Sequence, residues 1–213
     1  MLRFTLFQFP VTVHWMFWVT CAFVSGSLEF TPRLFTFIVA AFISILIHEL
    51  GHAFLMRHYR ARASILLYAF GGLAIPSGAR FSRGANILIS LAGPVVQIAV
   101  GFLVSQFTPH LTIYNYQSLG IFFLQKFTYI SIVWGVLNLI PIFPLDGGHV
   151  LNSILGPRHW RTTLKIGIGC CAVLILGCLL WGMFYNALIV GMLAYGNINR
   201  LKGDRSPTFL DPV

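Results

Sequence analysis

His48 and His52 stand four residues apart in the run His48-Glu49-Leu50-Gly51-His52. On a helix, positions i and i+4 lie one above the other on the same face, so two such imidazoles can reach a single zinc ion. A glutamate beside the first histidine can then take a proton from a water polarised by that ion, as a general base. The placement argues against coincidence. The polar triplet follows an uncharged apolar stretch from Leu34 to Ile47, where an ionisable group is costly and usually functional.

The elements that must position this motif belong in lipid. Of 213 residues, 57% are hydrophobic and only 9% are charged, whereas soluble domains carry about 25% charged residues. The chain therefore reads as an integral membrane protein. Its acidic residues are Glu29, Glu49, Asp146, Asp204 and Asp211, and of these Glu49 and Asp146 lie in apolar surroundings. That marks the two as a functional pair. The net charge of +9 comes from short basic clusters between apolar runs, the positive-inside pattern. No basic stripe is interleaved with exposed aromatics, which argues against nucleic acid as a partner. Cys21, Cys170, Cys171 and Cys178 lack zinc-type spacing and read as small packing residues.

Taken in order, the chain is expected to be an all-α membrane protein with about six transmembrane helices. The expected spans are about 11–28, 34–56, 84–107, 127–143, 166–182 and 183–198, with residues 203–213 as a short polar tail. The first apolar run lacks a small-residue cleavage site, so it is expected to be a retained span. His14, near its start, reads as a structural histidine. The cluster Arg57-His58-Tyr59-Arg60-Ala61-Arg62 marks a cytoplasmic end. His48 then lies roughly 21 Å along a helix that starts at Leu34, within a hydrocarbon core roughly 30 Å thick. This puts the metal inside the membrane, about a third of the way in from the cytoplasmic face.

Ser64 to Gly78 is apolar, too short to span, and broken by Gly71-Gly72 and Pro76. It is expected to be a membrane-dipping, β-like loop whose backbone is covered by protein or a wet cavity. Ser90-Leu91-Ala92-Gly93-Pro94 lets helices approach closely. Residues 108–118 carry no charge and suit an external loop. The fourth span runs into Asn138, Pro141, Pro144 and Asp146-Gly147-Gly148. Two prolines three apart cannot both sit in an intact helix, so the span must open there. Asp146 then gains backbone freedom from its glycines to turn toward the metal. The uncharged stretch 166–198 fits two spans broken near Trp181-Gly182, with both chain termini cytoplasmic. Only Arg33 and Lys126 among the Lys and Arg residues then fall outside.

These residues, in this order from Ile47 to Leu155, resemble the site-2 protease family of intramembrane zinc metalloproteases. The resemblance rests on the His48–His52 run, the Gly71-Gly72 loop, Ser90 to Pro94, and Asn138-x-x-Pro141-x-x-Pro144-Leu145-Asp146-Gly147-Gly148. It implies one zinc ion per chain held by His48, His52 and Asp146, with Glu49 as catalytic base and acid. It also implies that Asn138 engages substrate or the tetrahedral intermediate, and that the loop with Gly71 and Gly72 pairs with extended substrate. The implied substrate is the transmembrane segment of another protein, in a bacterial or archaeal inner membrane. Many members carry a PDZ or C-terminal regulatory domain, and neither is recognisable in these residues. His149 follows the glycines, but a fourth protein ligand would close the position that water needs.

Two rival classes use the same residues differently. A membrane metal transporter or sensor would treat the His/Asp set as a transit site. Transporters, however, tend to repeat discontinuous helices in matched halves, and no such repeat is evident. A silent scaffold would have no use for Glu49 beside a complete ligand set.

Overall fold

The computed structural model describes residues 1–26, 29–69, 71–112 and 118–203. The expected tail beyond 203 and the centre of the expected external loop, 113–117, lie outside the described residues. The chain divides into two compact units, Met1–Arg80 with Ala92–Val136, and Phe81–Leu91 with Leu137–Val213.

The first unit contains a four-stranded sheet, of which the sequence reading foresaw only a β-like segment over 64–78. Strand β1 (Leu2–Leu6) pairs antiparallel with β2 (Phe9–Val13), through a turn in which Phe7 and Gln8 both take positive φ. β2 pairs in parallel with β3 (Arg62–Tyr68), and β3 pairs antiparallel with β4 (Gly71–Ser77). The order β1-β2-β3-β4 leaves β1 and β4 as edges.

Two expectations change. A helical span does not start at Val11: strand persists to Val13, and helix α1 covers only Trp15–Val24. The reason is local, because Phe9, Val11 and Val13 are buried alternately, the period of a strand rather than of a helix. His14 supports that corner, since its Nδ1 accepts from Met16 N–H at 3.3 Å and caps α1. The 64–78 loop is likewise not one β-like segment but a hairpin. β3 buries Ala63, Ile65 and Leu67 on one face and is interior to the sheet. Only β4 offers an open edge there, and Pro76 is tolerated on it because an edge strand need not donate outward.

Helix α2 (Pro32–His58) begins at a Thr31 cap, whose Oγ1 accepts from Leu34 N–H at 3.3 Å, with Pro32 in the first turn. Both β3 and β4 pack against it. Helix α3 (Arg83–Thr112) runs through both units, and α4 (Leu119–Asn138) begins eight residues before the expected span. α4 ends at Asn138, where the two prolines require the helix to open.

In the second unit, α5 (Asp146–Leu155) starts at Asp146, an acidic residue in a first turn where the helix dipole favours it. Its glycines act differently from the expectation. Neither Gly147 nor Gly148 takes a positive φ. Instead a Cβ on Gly147 would collide with the carbonyls of Leu139 and Ile140, and one on Gly148 would stand 2.8 Å from Ile142. Close approach, not conformational freedom, requires them. Helices α6 (Trp160–Leu180) and α7 (Phe184–Lys202) split the long uncharged stretch at Gly182, whose φ is 70°. Buried Asn197 of α7 donates from Nδ2 to the carbonyl of Phe143 at 2.7 Å and to that of Leu193 at 2.7 Å.

The fold is thus mostly helical with one small mixed sheet. Among the described residues, four helical segments are long and apolar enough to cross a membrane: Pro32–His58, Arg83–Thr108, Leu119–Asn138 and Pro157–Leu180. α1 is apolar but has only 10 residues.

Candidate metal centre

Ser44, His48 and His52 recur every four residues along α2 and are buried, as is Glu49. The helix has turned the expected pair onto one face. His48 Nε2 and His52 Nε2 lie 3.0 Å apart, and their rings meet nearly at right angles, at 79°. Two nitrogens bound to one tetrahedral zinc at about 2.0–2.1 Å would stand about 3.3 Å apart. The pair therefore fits an ion with little adjustment. His48, His52 and Asp146 form a group able to hold a metal ion, and two imidazoles with one carboxylate are a donor set used by catalytic zinc. His149 is not in that group; its ring packs edge-on against Phe143, with centroids 4.9 Å apart.

Glycines bring backbone up to this turn of α2. A Cβ on Gly72 of β4 would stand 2.5 Å from Glu49 Oε1 and 2.6 Å from its carboxyl carbon. A Cβ on Gly93 of α3 would collide with the His52 ring. Gly71, the other glycine of the loop motif, has no such neighbour within 4 Å. Asn138 is the last residue of α4, and Asp146 is the first of α5.

Sequence reasoning missed a buried polar chain behind His48. Gln97 of α3 lies with its Oε1 2.9 Å from His48 Nδ1. Its Nε2 donates to Ser44 Oγ at 2.9 Å and to the Ser44 carbonyl at 3.3 Å. Ser44 Oγ in turn lies 2.8 Å from Ser131 Oγ of α4. Gln97, Ser44 and Ser131 are all 0% exposed. A polar amide inside an apolar helix was the available signal, since buried polar groups in a bilayer are rarely idle.

The chain matches the model of peptidase family M50 over residues 102–177. It is 28% identical to zinc metalloprotease MJ0392 of Methanocaldococcus jannaschii over 88% of this chain and 55% of that protein. Stage IV sporulation protein FB of Bacillus subtilis is 28% identical over 66% of this chain and 48% of its own length. The chain thus spans about half the length of these curated relatives. The solved structure of the site-2 protease from Methanocaldococcus jannaschii superposes with a TM-score of 0.68, covering 100% of this chain and 98% of that one at 22% identity. At that identity the likeness speaks for the fold.

Proposed function

Because the chain carries a domain of peptidase family M50, the site-2 protease family, we propose that it is an intramembrane zinc endopeptidase. It hydrolyses a peptide bond within or near a transmembrane segment of another membrane protein. The observation that carries this reading is the turn of α2 where two imidazole nitrogens converge and a carboxylate sits against an edge strand. The relative named zinc metalloprotease MJ0392 supports the identity of the ion.

His48, His52 and Asp146 would hold the zinc, which when bound would supply Lewis acidity toward the scissile carbonyl and the attacking water. Glu49 takes the proton from the attacking water at its carboxylate and passes it to the departing amine. Asn138 donates a hydrogen bond to the oxygen on which charge develops, a role worth about 10²–10³ in rate where measured. Substrate must arrive unwound, since helical carbonyls are already hydrogen-bonded. The open edge of β4 gives such a segment main-chain partners that lipid lacks. The protein lies in the inner membrane of a bacterium or archaeon with six spans, α1 and α7 included, and both termini in the cytoplasm.

Glu49→Gln tests the reading. Wild type, co-expressed with a membrane-tethered candidate substrate, should release fragments, and stripping zinc with a chelator should stop it. Glu49→Gln should retain the zinc and cut about 10²–10⁴-fold more slowly. Undiminished cleavage by Glu49→Gln would overturn the assignment. A metal transporter, by contrast, would keep its flux in that variant.

A further inference from the structure

We infer that Gln97 is a positioning residue, which fixes His48 in the tautomer that turns a lone pair on Nε2 toward the metal. The inference rests on the reading of His48 as a zinc ligand. It follows from the one group in the buried chain whose polarity cannot change.

The main-chain carbonyl of Ser44 can only accept. Gln97 lies 3.3 Å from it, so the atom facing that carbonyl must be the amide nitrogen, Nε2. The amide oxygen, Oε1, is then the atom 2.9 Å from His48 Nδ1. An amide oxygen also only accepts, so His48 must carry its proton on Nδ1. A neutral imidazole protonated at Nδ1 has its lone pair on Nε2. Nε2 is the atom that meets His52 Nε2 at 3.0 Å. The polarity therefore passes from a helix carbonyl through one side chain to a metal-binding nitrogen.

Ser44 Oγ adds a second acceptor for the same amide at 2.9 Å, and Ser131 Oγ stands 2.8 Å behind it. Flipping the Gln97 amide would set its oxygen against a carbonyl oxygen, and with all three residues fully buried no solvent relieves that repulsion. An amide locked this way holds the ring's rotation as well as its tautomer. Outer partners of this type are generally worth 10–100-fold in metal affinity.

The same geometry distinguishes positioning from packing. Gln97→Met preserves shape and removes the acceptor. Gln97→Glu preserves the acceptor and, as the protonated acid, a donor for the Ser44 carbonyl. If Gln97 positions His48, Gln97→Met should weaken zinc about 10–100-fold in chelator competition, and Gln97→Glu should stay within about threefold of wild type. If Gln97 only fills space, the order inverts: Gln97→Met keeps zinc and the buried acid loses it.

A measurement on the wild-type chain needs no variant to fold. With ring-¹⁵N histidine in the zinc-free protein, where no metal dictates the tautomer, His48 should already show a slowly exchanging Nδ1–H. A His48 protonated at Nε2, or the inverted order of zinc affinities, would overturn the inference. A wild-type protein that binds no zinc would instead overturn the functional reading beneath it.

Discussion

Gly72→Ala is the sharpest probe of how Glu49, the proposed base, is held. Gly72 does not adopt a positive φ, so alanine brings no backbone strain and its whole effect is steric. The new Cβ would stand 2.5 Å from Glu49 Oε1 and 2.6 Å from its carboxyl carbon, with the Cγ also in collision. Ordinary contact begins at 3.4 Å, so the carboxyl group must retreat by about 0.9 Å or the strand must yield by as much. Because the Cγ is hit as well, the carboxylate cannot escape by swinging its tip. A misplacement of about 1 Å costs about 10²-fold in rate, or about 2.7 kcal/mol of barrier. In a tethered-peptide cleavage assay in liposomes, Gly72→Ala should therefore lose about 10² in kcat with zinc content unchanged. Gly71→Ala, with nothing within 4 Å, should remain within about twofold. Three results would refute the reasoning: near-normal turnover by Gly72→Ala, loss of its zinc, or a rise in KM alone. The last would mean that Gly72 serves substrate pairing and not the seat of Glu49.

Gly93→Ala should divide its damage the other way. Its Cβ meets the His52 ring, so zinc affinity should fall on the order of tenfold or more, as chelator competition would show; unchanged affinity would mean that α3 simply moves aside. Asn197→Leu removes the donor to Phe143 O and leaves a carbonyl buried without it. Unfolding in detergent should register a loss of about 1–3 kcal/mol, and a variant as stable as wild type would show that the 139–145 loop holds itself.

What was legible in the sequence was short-range. The His48–His52 run depends only on helical spacing, and the end of α4 at Asn138 on the prolines that follow it. The division of 166–198 turned on a glycine, and Gly182 with φ 70° ends the α6 turn there. The N-terminal hairpin was present as alternation in residues 2–13, yet it ran directly into an apolar stretch that reads as membrane. What settles its fate is the pairing of Val11 with Ile65, a partner no local pattern announces. Gln97 failed to stand out for the same reason. Its partners His48 and Ser44 lie on another helix, 49 and 53 residues away, and no spacing rule connects them. The glycines of α5 were noticed but explained wrongly, because composition shows that a side chain is missing and not what occupies its place.

That last point bears on the proposed catalytic turn itself. Gly51, Gly72 and Gly93 come from α2, β4 and α3, and each is pressed by a different neighbour around one stretch of α2. A Cβ on Gly51 would stand 2.7 Å from the Ala92 carbonyl, one on Gly72 would strike Glu49, and one on Gly93 would strike His52. In lipid, small residues let backbones approach where no hydrophobic force draws helices together. A glycine inside a helix costs about 1 kcal/mol relative to alanine, and α2 and α3 accept that cost beside the proposed metal ligands. Local rules broken at one place and kept elsewhere are the mark of a functional site. The breach has a direction as well: each missing side chain leaves room for an imidazole, a carboxylate or a helix carbonyl. What these positions require is absence of volume, and any residue larger than glycine must displace one of those groups to enter.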